Sequence, residues 1–434
     1  MTVFRFFATI LLLCSCCCLP AQLGWTWTEL PSSPESVSNN AVTQAYCGDT
    51  LCVYSFCGID STLSPAGIHL HAWRYNTISQ LWTALPDVPD VQGKIAAGAS
   101  TVDNLIYLIG GYHVNPNLSE VSSEKVHIFD PDSNLWLADG APLPIATDDH
   151  VQTVYQDSLI YVITGWSNTT NITAVQIYDP SANTWQAGSS LPNLNTFKSF
   201  GASGAIVGDS IFYMGGVSSS SFAATSYFRK GAIDPSDPTE IAWELLDDYV
   251  GSAGYRMASA TWNDRVFWVG GSSVAYNFDG VAYNGSGGVE PEFRISTYFS
   301  DAAIWDEGTG APFGVMDLRG IATVTPTSWI ICGGMSSNQL VSNKMFLLQL
   351  DTSASVEGES EPRPNWQFAE NQLVIDANET GTVSLWNTAG LLVVQGQQNF
   401  LTMPLGLATG VYCFNWQGTH SAVSGSFFFS APLR

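Results

Sequence analysis

Basic residues are scarce in this chain: 14 Lys and Arg stand against 38 Asp and Glu, a net charge of −24 over 434 residues. A surface so poor in cations cannot replace the counterions of a phosphate backbone, which excludes non-specific nucleic-acid binding. Long apolar runs are missing too. The run Phe6–Leu13 is too short to span a bilayer, and no later segment is a transmembrane candidate. Four of the 9 cysteines fall at Cys14, Cys16, Cys17 and Cys18. The other five (Cys47, Cys52, Cys57, Cys332, Cys413) are odd in number and offer no Cys-x-x-Cys spacing, so neither a disulfide scaffold nor a metal site is signalled. Gly-x-Ser-x-Gly, His-Glu-x-x-His and phosphate-binding loops are absent, and no cofactor is expected.

What is present is apolar and aromatic: 45% and 12% of the residues, too hydrophobic for disorder. Residues 1–22 combine Arg5, the short apolar run and small residues, the pattern of an export signal cleaved near Ala21 or Gln22. "LCSC", ending at Cys16, loosely resembles a lipobox, and a lipoprotein anchor is the alternative.

Over residues 23–350 one phrase recurs: a polar turn, four or five apolar residues, then Gly-Gly. It reads "DNLIYLIGG" (103–111), "GDSIFYMGG" (208–216), "NDRVFWVGG" (263–271) and "PTSWIICGG" (326–334). "DSLIYVITG" (157–165) has lost one glycine and "GDTLCVYSF" (48–56) both. A strand of small residues precedes each turn. In "KVHIFDPDSNLW" (125–136) and "AVQIYDPSANTW" (174–185) an Asp-Pro turn joins two further strands and ends on Trp. Four antiparallel strands in about 50 residues, six times over, predict a β-propeller. The last interval is stretched by "DGVAYNGSGGVEPE" (279–292), expected to be a surface loop. The sixth unit lacks a fourth strand. "WTWTELP" (25–31) matches "LWTALP" (81–86), with Trp27 in the place of Trp82 and Trp136, and supplies it from the N-terminus. The expected fold is all-β: a six-bladed propeller closed by an N-terminal strand, plus a small C-terminal β-sandwich.

These motifs together resemble the kelch repeat: Gly-Gly after the second strand, then Tyr/Phe-Asp, then Trp. The copper oxidases built on similar propellers need a Cys–Tyr cross-link and two His, a set not found here. Residues 351–365 are acidic and rich in Ser and Pro, a linker composition. Residues 366–434 read as two hairpins, 382–397 and 406–430. Leu385-Trp386-Asn387 with Gly390, and Leu407-Ala408-Thr409-Gly410-Val411-Tyr412, resemble the C-terminal sorting domain (type A) of the type IX secretion system of Bacteroidota. The closing "SFFFSAPLR" lacks that family's usual lysine. The resemblance implies export through that machinery to the medium or the outer-membrane surface. A plain carbohydrate-binding-like sandwich is the alternative.

The loops before the first strands and those after the glycines share one face. They carry Lys94, Asp149, His150, Lys198, Arg256 and Arg319, and Tyr112, His113 and Trp166. Lys94, Lys198, Arg256 and Arg319 read as one repeat position. A converging basic ring with aromatic neighbours suits an anionic or carbohydrate ligand; the structural alternative is hydrogen bonding between blades. His69 and His71 alternate on a strand and read as ordinary strand residues, since two ligands do not define a metal site. The expected function is a surface binding module for carbohydrate or protein. The alternative is a sugar epimerase or mutarotase, because the sialic-acid epimerases resemble this fold; Arg256 and Arg319 would then clamp an anion and His150 act as acid or base.

Overall fold

The computed structural model describes residues 23–307 and 310–351, and beyond them seven strands with short flanks between 365 and 429. The expected leader, residues 352–364 of the expected linker, Thr388–Gly390, Leu407–Thr409 and the chain end from 430 lie outside the described residues. The chain divides into two units, 1–355 and 356–434.

The first unit is a six-bladed β-propeller. Blade one comprises Ala41–Cys47, Thr50–Ile59, Ile68–Asn76 and Trp82–Leu85, and blade two Ile95–Val102, Leu105–Val114, Val126–Asp130 and Leu135–Trp136. Blades three to five repeat this plan from Val151, Phe200 and Ala258. In each, neighbouring strands pair antiparallel in chain order. Small residues dominate the first strands ("IAAGASTV", "FGASGAIV") because six of them must converge on one axis.

Blade six takes Ala322–Thr325, Ser328–Cys332 and Met345–Asp351 from the end of the unit, and its outer strand, Gly24–Leu30, from the start. Trp27 pairs with Leu348 as Trp136 pairs with Phe129. The Trp82 indole donates to Pro31 O, as Trp136 does to Pro86 O, Trp185 to Ala141 O and Trp243 to Ser189 O. The closing strand therefore enters the same blade-to-blade series as the others, and the third strand of blade six, Met345–Asp351, is not left as an open edge. Its buried anchor is Trp25 rather than Trp27. Trp25 is 7% exposed and packs on Phe267 and Trp329 at 5.0 and 5.7 Å between ring centres, whereas Trp27 is only partly covered.

Two rings of backbone hydrogen bonds bind the blades around the axis. In the first, the second residue of each glycine pair donates to a carbonyl of the next blade: Gly58 to Lys94, Gly111 to Thr147, Gly165 to Ser199, Gly216 to Gly254, Gly271 to Val315 and Gly334 to Val37, at 2.7–3.1 Å. This accounts for the glycines. At Gly215 (φ 75°) a Cβ would lie 2.1 Å from Gly254 O, so a side chain would force blades four and five apart. Blade one keeps one glycine, in Cys57-Gly58, two residues later than the repeat predicts and at a register irregularity between Phe56 and Gly58.

The second ring runs through Asn39, Ala96, Asp149, Gly201, Arg256 and Asp317, all at positive φ between 47° and 67°. Asn39 N–H donates to Asp317 O, Leu318 to Arg256 O, Arg256 to Gly201 O, Gly201 to Asp149 O and Asp149 to Ala96 O. Ala96 N–H completes the circle on the Asn39 side-chain oxygen at 2.8 Å.

The C-terminal unit consists of two antiparallel sheets. One holds Asn365–Ala369, Gln372–Asp376 and Phe400–Thr402; the other pairs the hairpin Thr382–Asn387/Leu392–Gln397 with the hairpin Gly410–Gln417/Ala422–Phe429. Leu373, Ile375, Val383, Leu385, Tyr412 and Phe414 are buried. Gly410 opens a strand, and Tyr412 pairs with Asn387 and Phe427.

Candidate functional site: the axial network and the loop face

The second ring replaces the expected repeat alignment. Residues structurally equivalent to Arg256 are Asn39, Ala96, Asp149, Gly201 and Asp317, not Lys94, Lys198 and Arg319. Lys94 lies two residues before its ring member and Lys198 three before, while Arg319 lies two after. The four cations therefore do not form one ring, and the structure gives each a separate environment.

Arg256 fills the axis. Its guanidinium donates to Asp149 at 2.6 and 3.1 Å and to Asp317 at 2.9 Å, and lies over the rings of Tyr255 and Tyr276 at 5.0 and 5.5 Å. Burial opposes its charge, but Asp149, Tyr255 and Asp317 outweigh that and hold it well above the usual arginine range. Asp317 also accepts from Ser38 Oγ at 2.6 Å and Asn39 Nδ2 at 3.1 Å. Arg319 donates to His150 O at 2.9 Å and approaches Asp149 at 3.5 Å. Burial, with Arg319 beside it, pushes His150 down to about 4, against its bond to Gln152 and the pull of Asp149, so the imidazole is neutral at pH 7. Burial, then the neighbouring Asp149, raises Asp148 well above the carboxylate range; Ser122 Oγ caps it at 2.5 Å.

Lys94 belongs to a second buried set between blades one and two. Its ammonium lies 2.6 Å from Asp90, which also faces His127 Nε2 at 3.1 Å, and His127 Nδ1 faces Asp139 at 2.9 Å. His113 lies 3.7 Å from Asp90 and bonds Gly93 O through Nδ1 at 2.9 Å. Burial raises the Asp90 carboxyl, but the His127 bond and the Lys94 charge more than reverse this and hold it far below the usual carboxylate range. Lys94 is wholly enclosed and cannot meet a ligand. Lys198 alone of the four is half-buried.

The blade-five insertion is more than a surface loop. Phe278, on the segment leading into it, crosses to blades one and two and packs with Ile59, Ile68, Ile95, Tyr112 and Val114, while Tyr276 of that segment and Ala282 and Val289 of the insertion pack with Phe200, Val217 and Met335 of blades four and six. It roofs the channel on the loop face and buries Tyr112. Above this roof the loops bring three rings together: Trp166 of blade three lies 5.7 Å from Phe222 of blade four, and Phe222 lies 5.2 Å from Tyr283 of the insertion. Trp166 and Phe222 are half-buried and Tyr283 is 36% exposed. Leu118, Val121 and Val281 are exposed on loops of the same face. Glu120 accepts a bond from Asn277 and acts electrostatically on Tyr283. Phe222 and Tyr283 escaped the sequence reading because only their loops, not their neighbours, are legible there.

The opposite end of the channel holds a cavity of about 370 Å³, lined by Thr43, Thr101, Gln152, Ser203 and Thr261 and floored by His150 and Arg319.

This architecture defines a β-propeller of the kelch type. The Kelch motif matches residues 96–137 and 150–192, blades two and three, where the Asp-Pro turn and terminal Trp are both kept. The chain is 27% identical over 213 residues to Kelch-like protein 25 of Xenopus tropicalis (48% of this chain, 33% of that one), and 31% identical over 166 residues to Kelch-like protein terF of Aspergillus terreus (37% and 34%). It thus spans about a third of the length of these curated relatives. The solved structure of YjhT superposes with a TM-score of 0.59 at 16% identity, covering 80% of this chain and 99% of YjhT, a likeness of fold. The chain thus carries kelch motifs on a six-bladed propeller.

Proposed function

We propose that this protein is an exported binding module whose loop face takes a carbohydrate. The observation that carries this reading is the grouping of Trp166, Phe222 and Tyr283, from three different blades, in one partly exposed aromatic set beside Glu120. Aromatic faces accept the C–H face of a sugar ring, and a carboxylate accepts its hydroxyls. Three of the four cations that suggested an anionic ligand, Lys94, Arg256 and Arg319, are engaged by Asp90, Asp149 and Asp317, so a neutral glycan fits the face better than a sulfated or sialylated one. A glycan array probed with the full chain tests this. Binding of neutral glycans that falls when Trp166 or Tyr283 becomes Ala supports it; binding of a protein alone at the same residues replaces the glycan by a protein partner. The leader and the C-terminal resemblance support export through the type IX machinery, with the mature protein outside the cell.

The cavity supports a second reading, the sugar isomerase. His150, neutral and with its Nδ1 unpartnered, and Arg319, with its Nε unpartnered, stand at the cavity floor as base and anion clamp. Exchange between anomers or epimers seen by NMR in the parent, and lost in His150→Gln, would favour it.

A further inference from the structure

Outside the axis, two histidines, a carboxylate and an indole are assembled on blade one. His69, His71 and Trp73 alternate along the third strand, Ile68–Asn76, and so share a face. The two imidazoles stack at 4.3 Å between ring centres, with planes 19° apart. The segment running from the closing strand into blade one carries Glu35 against them. Its carboxylate oxygens lie 2.9 and 3.1 Å from His71 Nδ1, and the Trp73 indole donates to it at 2.6 Å. Thirty-odd residues of chain separate Glu35 from the histidines, which is why the sequence shows two ligands and the structure three.

We propose that Glu35, His69 and His71 form a binding site for one divalent transition-metal ion of the Zn²⁺ class. One ligand atom from each residue lies within 4.8 Å of the others. A tetrahedral ion with bonds of about 2.0–2.1 Å needs them about 3.3 Å apart, a closure that side-chain rotation provides, since the His71 side chain is 48% exposed. Two imidazoles and a carboxylate select Zn²⁺, Co²⁺, Ni²⁺ or Cu²⁺ over Ca²⁺ and Mg²⁺, which prefer oxygen donors. His69 has the free capacity: its Nε2 is buried with no hydrogen-bond partner. Trp73 holds the Glu35 carboxylate in place, the usual arrangement around a metal-ligating group. Three ligands leave a fourth position for water or for a donor group of whatever docks on this blade.

The test is calorimetric titration of the full chain with ZnCl2 against a competing chelator, with the visible spectrum of the Co²⁺ form and melting curves with and without metal. The parent should bind one Zn²⁺ at micromolar affinity or tighter. The cobalt spectrum should show nitrogen and oxygen ligation without a thiolate charge-transfer band, which separates this site from the leader cysteines. His69→Ala and His71→Ala should each weaken binding at least tenfold, Glu35→Gln by less, and the zinc-induced rise in melting temperature should vanish in the variants. His71→Gln, at an exposed position, keeps the test valid if His69→Ala folds poorly. The site is overturned if the parent binds no zinc, or if the stoichiometry and affinity of His71→Gln equal the parent's.

Discussion

Arg256 of blade five and Asp149 of blade three meet across the channel axis, guanidinium to carboxylate, at 2.6 and 3.1 Å. Both belong to the inner hydrogen-bonded ring, and both are almost wholly buried. Their contact ties together two blades that are not neighbours. Removing the guanidinium leaves Asp317 buried without its cation and Asp149 with only Arg319 at 3.5 Å. Arg256→Met should therefore lower stability by about 3–5 kcal/mol, read from denaturant unfolding. A change below about 1 kcal/mol would show that the ring of backbone bonds alone holds the centre.

Closure by the N-terminal strand rests on Trp25. Trp25→Ala should cost about 3–5 kcal/mol, and Trp27→Ala distinctly less, because only the first is buried against Phe267 and Trp329. Melting temperatures of the two variants, with light scattering to detect edge-to-edge association, check the order. Equal losses would contradict it.

Much of this architecture is legible in the sequence. The glycine pairs mark the second strands because each must approach the next blade's backbone, and a Trp marks the fourth. The inner ring is not legible, because Asn39, Ala96, Asp149, Gly201, Arg256 and Asp317 share a left-handed backbone and no side-chain chemistry. An alignment by charge therefore paired Lys94 and Arg319 with Arg256. The insertion shows in the sequence by its length. That Phe278 crosses the channel does not, since its partners Ile59 and Ile95 lie about two hundred residues upstream.

Acid should weaken the fold through His150. The folded chain holds this group at about 4 against 6.5 for the free side chain. Above about pH 6.5 it is neutral in both states. As pH falls from there through about 4, the unfolded chain takes up a proton that the folded chain refuses, and up to about 3 kcal/mol of stability is lost. His150→Gln should flatten the slope of unfolding free energy between pH 6.5 and 5, whatever it does to the level. The same slope in both proteins would remove His150 as the cause.

Export is tested by truncation. Without residues 366–434 the propeller should still fold but remain in the periplasm of a host carrying the type IX machinery. Surface display at the parent's level would refute the sorting role.

The most direct measurement of the binding account is an NMR titration of indole N–H signals, with Trp166 assigned through Trp166→Phe, against the best glycan from the array. The account predicts that the Trp166 signal shifts and saturates with ligand, and that Tyr283→Ala raises the dissociation constant at least tenfold. Saturable binding that leaves Trp166 unmoved, and persists unchanged in Tyr283→Ala, would contradict it.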